Sequence, residues 1–204
     1  MTIRMHQHDL PDLSAYTEAV AIDTEALGLN PHRDRLCVVQ LSPGDGTADV
    51  VQIAADPRPA PNLTSLLADN RRVKIFHFAR FDCALLFHTF GVMPEPIYCT
   101  KIASRLARTY TDRHGLKDLV REYLDIELSK QQQSSDWAAE KLSDAQLAYA
   151  ASDVLYLHQL RAALDSRLER DGRNELARKS FDFVDTRARL DLAGWANEDI
   201  FAHI

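Results

Sequence analysis

The sequence predicts an α/β fold built on a mixed sheet. Three observations predict it. Short apolar runs rich in β-branched residues fill the first half, and Pro-Gly-Asp-Gly (43–46) joins two of them as a hairpin. Helical stretches are interleaved with the later runs. Beyond residue 100 the pattern is helical only, so parallel and antiparallel strands share one sheet covered by helices.

The elements follow in order. Residues 18–22 read as a buried strand, 35–42 as a second, and 48–53 as a third, the last two flanking the hairpin turn. The Pro-rich stretch 56–61 is a loop, and Asn62 is placed to cap a short helix through Ala68. A fourth strand spans 73–78. A helix follows over 79–90, stopped by Gly91. Pro94 and Pro96 break the chain before a short strand at 97–99. Helices are expected over 100–108 and 116–124, then a polar loop at 130–136. Ser143 caps a long helix running to about residue 170, where Asp171-Gly172 ends it. The remainder reads as one or two further helices.

The chain has 204 residues, 46% hydrophobic and 26% charged, which fits one sizeable globular domain. No apolar leader opens it, and no run nears the roughly 18 apolar residues of a membrane span, so no membrane partner is expected. Cys37, Cys83 and Cys99 are scattered in apolar sequence and show no zinc spacing. They read as buried free thiols, which places the chain in a reducing cytoplasm. The net charge of −6 disfavours a long electrostatic track for nucleic acid and leaves room for a short substrate.

Acidic residues carry the chemistry. Asp23 and Glu25 are two apart at a strand end, so both leave one face. Tyr149 and Asp153 are four apart on a helix and share a side whose neighbours are mostly apolar. Asp82 lies one turn into the helix after the fourth strand, where the helix dipole alone would favour an acid. Each also reads as an ordinary turn, surface or cap residue. If the fold gathers these four acids, divalent cations are the means of tolerating them together, and two metals held by carboxylates are machinery for phosphodiester hydrolysis.

In this order the motifs resemble the DEDD superfamily of 3′–5′ exonucleases, in its tyrosine branch, and are similar to ribonuclease D. Asp23 and Glu25 match the first motif, Asp-x-Glu, and Tyr149 and Asp153 match the third, Tyr-x-x-x-Asp. Phe81 and Asp82 match the end of the second, Asn-x-x-Phe-Asp, with Phe78 where asparagine is usual. His-Gly-Leu-Lys-Asp-Leu (114–119) resembles the ribonuclease D segment between the last two motifs. The resemblance covers roughly residues 18–165, and the length and Ala-Arg-Phe-Asp (79–82) resemble the compact nano-RNase C subfamily.

This resemblance implies a ribonuclease H-like mixed β-sheet flanked by α-helices, with a helical C-terminal part, residues 174–204, that serves either the core or assembly. It implies two Mg²⁺ or Mn²⁺ ions. Asp23, Glu25 and Asp153 would hold the first, and Asp23 with Asp82 the second, Asp82 acting directly or through water. Tyr149 would orient the attacking water. The implied activity is 3′–5′ exoribonuclease action on short single-stranded RNA, dinucleotides above all, releasing 5′ mononucleotides. The implied assembly is a homo-oligomer, an octamer. Ribonuclease D-like trimming of longer structured RNA, or DNA exonuclease activity, is the alternative. A catalytically silent nucleic-acid-binding module is a second.

The resemblance also implies that an apolar residue just after the first motif, here Leu27 or Leu29, wedges between the last two bases; His77 and Phe78, at a strand end, are further expected substrate contacts, Phe78 by stacking on a base. Arg113, His114 and Lys117 are candidates for holding phosphate, within a basic stretch, Arg105 to Lys117, that also reads as a solvated helix face, and Arg80, near Asp82, is a further candidate.

Overall fold

A computed structural model of the chain describes residues 2–56, 58–129, 131–132 and 134–203. Within the polar loop expected over 130–136, Lys130 and Gln133 lie outside the described residues. Six strands form one mixed sheet in the order β1-β4-β3-β2-β5-β6: β1 Thr2–Gln7, β2 Ala19–Ala26, β3 Leu36–Ser42, β4 Thr47–Gln52, β5 Val73–Phe76 and β6 Ile97–Cys99. β3 runs antiparallel to β2 and β4, and the pairs β1–β4, β2–β5 and β5–β6 are parallel. This is the expected mixed α/β architecture. β3 is buried along its whole length, as an apolar run in the middle of a covered sheet must be.

Among the described residues seven α-helices flank the sheet: α1 Pro61–Ala68, α2 Ala79–Phe90, α3 Thr100–Ala107, α4 Leu116–Leu124, α5 Asp144–Leu155, α6 Leu157–Arg170 and α7 Asn174–Leu190. A short π-helical turn, Asp191–Trp195, follows α7. The larger apolar cluster joins Ile22, Val39, Leu41 and Ile75 of the sheet to α1, α2, α6 and α7. A smaller one lies under α5, where Val38 and Val50 meet Trp137, Leu142 and Ala150.

Several expectations are corrected. The strand expected at 18–22 runs on through Ala26, because Asp23, Thr24 and Glu25 pair in register with Gln40, Val39 and Val38 of β3. The acids therefore sit inside a strand. Residues 2–7, given no structure by the sequence reading, form β1. Its Arg4 and His6 bind the buried Asp49 of β4, a long-range anchor with no local signal. Asn62 does not cap α1. Pro61 already starts that helix, the amides of Asn62 and Leu63 bind the Asp9 carboxylate, and the Asn62 side chain bonds Leu10 O. β5 stops at Phe76, and Phe78 takes a left-handed conformation with φ 74.

The long helix after Ser143 is two helices. Ser143 caps α5 through a reciprocal capping box with Gln146. Tyr156, at φ −103 and ψ −5, then bends the chain without a glycine or proline. The bend lets α5 cover β3 and β4 while α6 packs on α3 and β5. Beyond the turn at Asp191–Trp195, residues 196–203 are not helical.

Candidate active site

Strand alternation sorts the first motif onto two faces. Asp23 and Glu25 point one way, in register with Gln40 and Val38, and that face is covered by α5. Thr24 points the other way, and its hydroxyl donates to Asp82 Oδ1 on α2 at 2.6 Å. On α5 the four-residue spacing carries Tyr149 and Asp153 to the same place. One ligand atom each from Asp23, Glu25 and Asp153 lies within 4.8 Å of the others. Three distant segments of chain thus converge.

Crowding shows in the acidities. Burial, then the charges of Asp82, Asp153 and Glu25, hold the Asp23 carboxyl well above its ordinary range. Burial and the Asp153 and Asp82 charges push Glu25 up to about 9. Burial lifts Asp82 and Asp153 each to about 7. Asp82 is only 3% exposed and lies behind the other three, tied to Thr24. Among the described residues no lysine or arginine forms an ion pair with any of the four. A cluster of oxygen donors, lacking a cationic partner and costly to ionise, fits hard divalent cations such as Mg²⁺ or Mn²⁺ and offers no thiolate or imidazole for a softer ion.

The acids open onto a cavity of about 320 Å³, also lined by His77, Lys101, Lys117, Leu128 and Ser129. Burial, reinforced by Lys101, lowers His77 to about 3, so the ring is neutral, and its Nδ1 lies 2.9 Å from Thr100 Oγ1. Burial raises the Tyr149 phenol above its ordinary value, followed by the Asp153 charge. The Tyr149 ring packs at 6.0 Å from Trp137, which directly follows the polar loop and is buried in the smaller apolar cluster.

Of the residues expected to touch substrate, His77 and Lys117 line this cavity. Phe78 sits beside it, 45% exposed, with Lys101 Nζ 4.3 Å from its ring centre. Leu27 and Leu29 are 55% and 85% exposed just past the catalytic strand and do not line the cavity. His114 does not line it, its Nδ1 lying 2.9 Å from Ser104 Oγ, and Arg113 is exposed and does not line it either. Arg80 is engaged elsewhere: it pairs with Asp191 and donates to Ala196 O, so its first role is to hold the C-terminal turn against α2.

Three contributors were not anticipated. Gln40 donates Nε2 to Asp23 Oδ2 at 2.7 Å and orients it. Its signal was a lone amide in an apolar strand. Thr24 does the same for Asp82, as strand alternation next to the motif could have suggested. Lys101, the second residue of α3, lines the cavity; nothing in its local sequence marks it.

Residues 8–169 match the 3′–5′ exonuclease family. Ribonuclease D of Gluconacetobacter diazotrophicus is 38% identical over 154 residues, covering 76% of this chain and 39% of that protein. The chain thus spans about two fifths of the length of the curated relatives it matches. Among solved structures, Brucella melitensis NrnC with bound Mg²⁺ is 66% identical with a TM-score of 0.96, each chain covered in full. The same protein bound to pGG is 67% identical with a TM-score of 0.97, again over all of both chains.

Proposed function

The chain belongs to the 3′–5′ exonuclease family, and from that membership we propose that it is a divalent-metal-dependent 3′–5′ exoribonuclease acting on short oligoribonucleotides, dinucleotides in particular. One observation carries the reading: Asp23, Glu25 and Asp153 come within 4.8 Å of one another, backed by Asp82, at the mouth of a small cavity. The full-length likeness to an NrnC solved with Mg²⁺ and with pGG supports both the metal and the short substrate.

Asp23, Glu25 and Asp153 would hold one ion, and Asp23 with Asp82 would hold a second. When bound, such ions activate a water and stabilise the leaving oxygen. The chain's own residues do the rest. Gln40 and Thr24 fix the orientation of Asp23 and Asp82. A phenol with an ordinary pKa near 10, raised further by burial, keeps its proton. Tyr149 therefore orients the attacking water by hydrogen bonding and does not act as the base. Lys101 and Lys117 line the cavity and would face the substrate phosphates. His77, neutral and held near Thr100, supplies a wall and a hydrogen-bonding edge without charge. The products would be 5′ mononucleotides, and the setting a reducing cytoplasm, in keeping with three buried free thiols. No described helix is long and apolar enough to cross a membrane.

The ribonuclease D relatives favour a second reading, the trimming of longer RNA. Turnover of an RNA dinucleotide and of a long single-stranded RNA, each 5′-labelled and assayed with Mg²⁺, separates the two. Faster cleavage of the dinucleotide is expected. Equal or faster cleavage of the long strand defeats the short-substrate reading, and no metal-dependent cleavage of either supports a silent binding module.

A further inference from the structure

A second cavity is larger than the one the acids open onto. It measures about 540 Å³ and lies between the loop leading into β3, the end of β4 and the C-terminal end of α2. It shares no lining residue with the acidic cavity. Its volume falls within the roughly 300–1,000 Å³ of small-molecule sites.

Its walls are basic in a chain whose net charge is −6. Arg35, Arg58, His8, His32 and His88 face it, and Asp56 is its only acidic lining residue among the described residues. Arg33 also lines it, but is already matched by Asp34. Arg35 is held rigidly: its Nη1 donates to Leu36 O at 3.1 Å and to Ile53 O at 3.2 Å. It has no carboxylate partner among the described residues, so its charge is positioned and unspent.

His8 is part of the same wall. It is held at φ 72, where non-glycine residues are uncommon, by its own amide bond to Gln52 O. Arg58 Nη1 lies 3.2 Å from His8 Nε2. An arginine can only donate, so Nε2 accepts and the ring proton sits on Nδ1. That Nδ1 is buried and has no partner among the described residues. A buried donor left unmatched is costly, and that cost stays within the wall, since the atom has almost no surface for a cavity ligand to reach.

We propose that this cavity is a second, anion-binding site, which takes a phosphate group carried either by a nucleotide or by free phosphate. The site stands on its own walls and does not depend on the exonuclease reading. It also adjoins the catalytic strand: Arg35 accepts the Leu27 amide through its carbonyl at 3.2 Å, two residues beyond Glu25.

Calorimetry on the full chain in metal-free buffer tests it, with inorganic phosphate, 5′-AMP and adenosine as probes. Phosphate and 5′-AMP should bind and adenosine should not. Tighter binding of 5′-AMP assigns the site to nucleotides, and equal binding assigns it to free phosphate. Arg35→Met and the exposed Arg58→Ala should each weaken binding about tenfold, the worth of one charge-assisted hydrogen bond. Arg58→Ala keeps the test valid if the Arg35 variant misfolds. Asp153→Asn should leave binding unchanged. Absence of binding by both phosphate probes, equal binding by adenosine, or a loss confined to Asp153→Asn overturns the proposal. Dinucleotide turnover, followed in parallel, judges the exonuclease reading separately.

Discussion

Tyr149 and Asp153 share a helix face but carry different chemistry, and substitutions separate them. Asp153→Ala removes a proposed ligand from a cluster in which burial already lifts that carboxyl to about 7. Metal-dependent cleavage should fall below detection, while the metal-free melting temperature stays level or rises because like charges are relieved. Retained turnover would contradict the ligand assignment. Tyr149→Phe keeps the ring against Trp137 and deletes only the hydroxyl. Cleavage should slow by about 10–10³-fold with the fold intact, in line with lost catalytic hydrogen bonds; a rate equal to the native one removes Tyr149 from the mechanism. The acids were readable because their spacing matches strand and helix periods and so survives without coordinates. Their supports were less so. The ion pair of Arg80 was not legible, because its partner, Asp191, lies 111 positions away. Lys101 was missed because only the three-dimensional path of β6 and α3 brings it to the cavity.

At the scale of single elements, two strands depend on buried polar groups. β1 is an edge strand, and Asp49 on β4 ties it down by binding Arg4, His6 and Tyr16 together. Asp49→Ala strands all three partners and should cost about 3 kcal/mol, the usual penalty for breaking a buried charged network. Urea unfolding measures the loss, and hydrogen exchange should show β1 amides opening first. An unchanged midpoint would mean the network contributes nothing. On β5, Lys74 has no exposed surface and donates Nζ to Asp69 O at 2.6 Å and to Glu95 O. Burial pushes it down to about 8. An unfolded lysine titrates near 10.4, so between about pH 8 and 10.4 the unfolded chain binds more protons. Stability should therefore rise with pH across that window, by about 3 kcal/mol from this group. Unfolding free energies of native protein and Lys74→Met, compared over the window, check it; identical slopes would refute it. The same strands explain what the sequence could reveal. β3, β4 and β6 announce themselves as apolar runs, and Ser143 and Gly91 mark helix ends by local chemistry. β1 is polar and forms only because Asp49 waits on a neighbouring strand. The bend at Tyr156 has no breaker residue and is set by the two surfaces that α5 and α6 must cover.

Across the whole molecule, the C-terminal segment leaves apolar groups in water. Phe201 is 75% exposed, Ile200 and Trp195 are also exposed, and Phe183 of α7 packs 5.8 Å from the Phe201 ring. Exposed aromatics gathered in one segment fit a contact surface between copies of the chain, and we propose that the chain self-associates through it. The segment is not free to drift. Arg80 and Arg187 both pair with Asp191, and Arg80 also holds Ala196 O, so the turn is clamped onto the first turn of α2. That turn of α2 also carries Asp82. Arg80 therefore discriminates two accounts of this face. If it serves assembly, Arg80→Ala should release the turn and lower the mass seen by sedimentation, as Ile200→Ser with Phe201→Ser should through the apolar contact itself. If it grips substrate, the mass should hold and KM for the dinucleotide should rise alone. The bidentate ion pair argues for assembly, since a guanidinium already matched to Asp191 has little left to offer a phosphate. A native mass equal to one chain would remove the interface, and Arg80 would then be a clamp within a monomer.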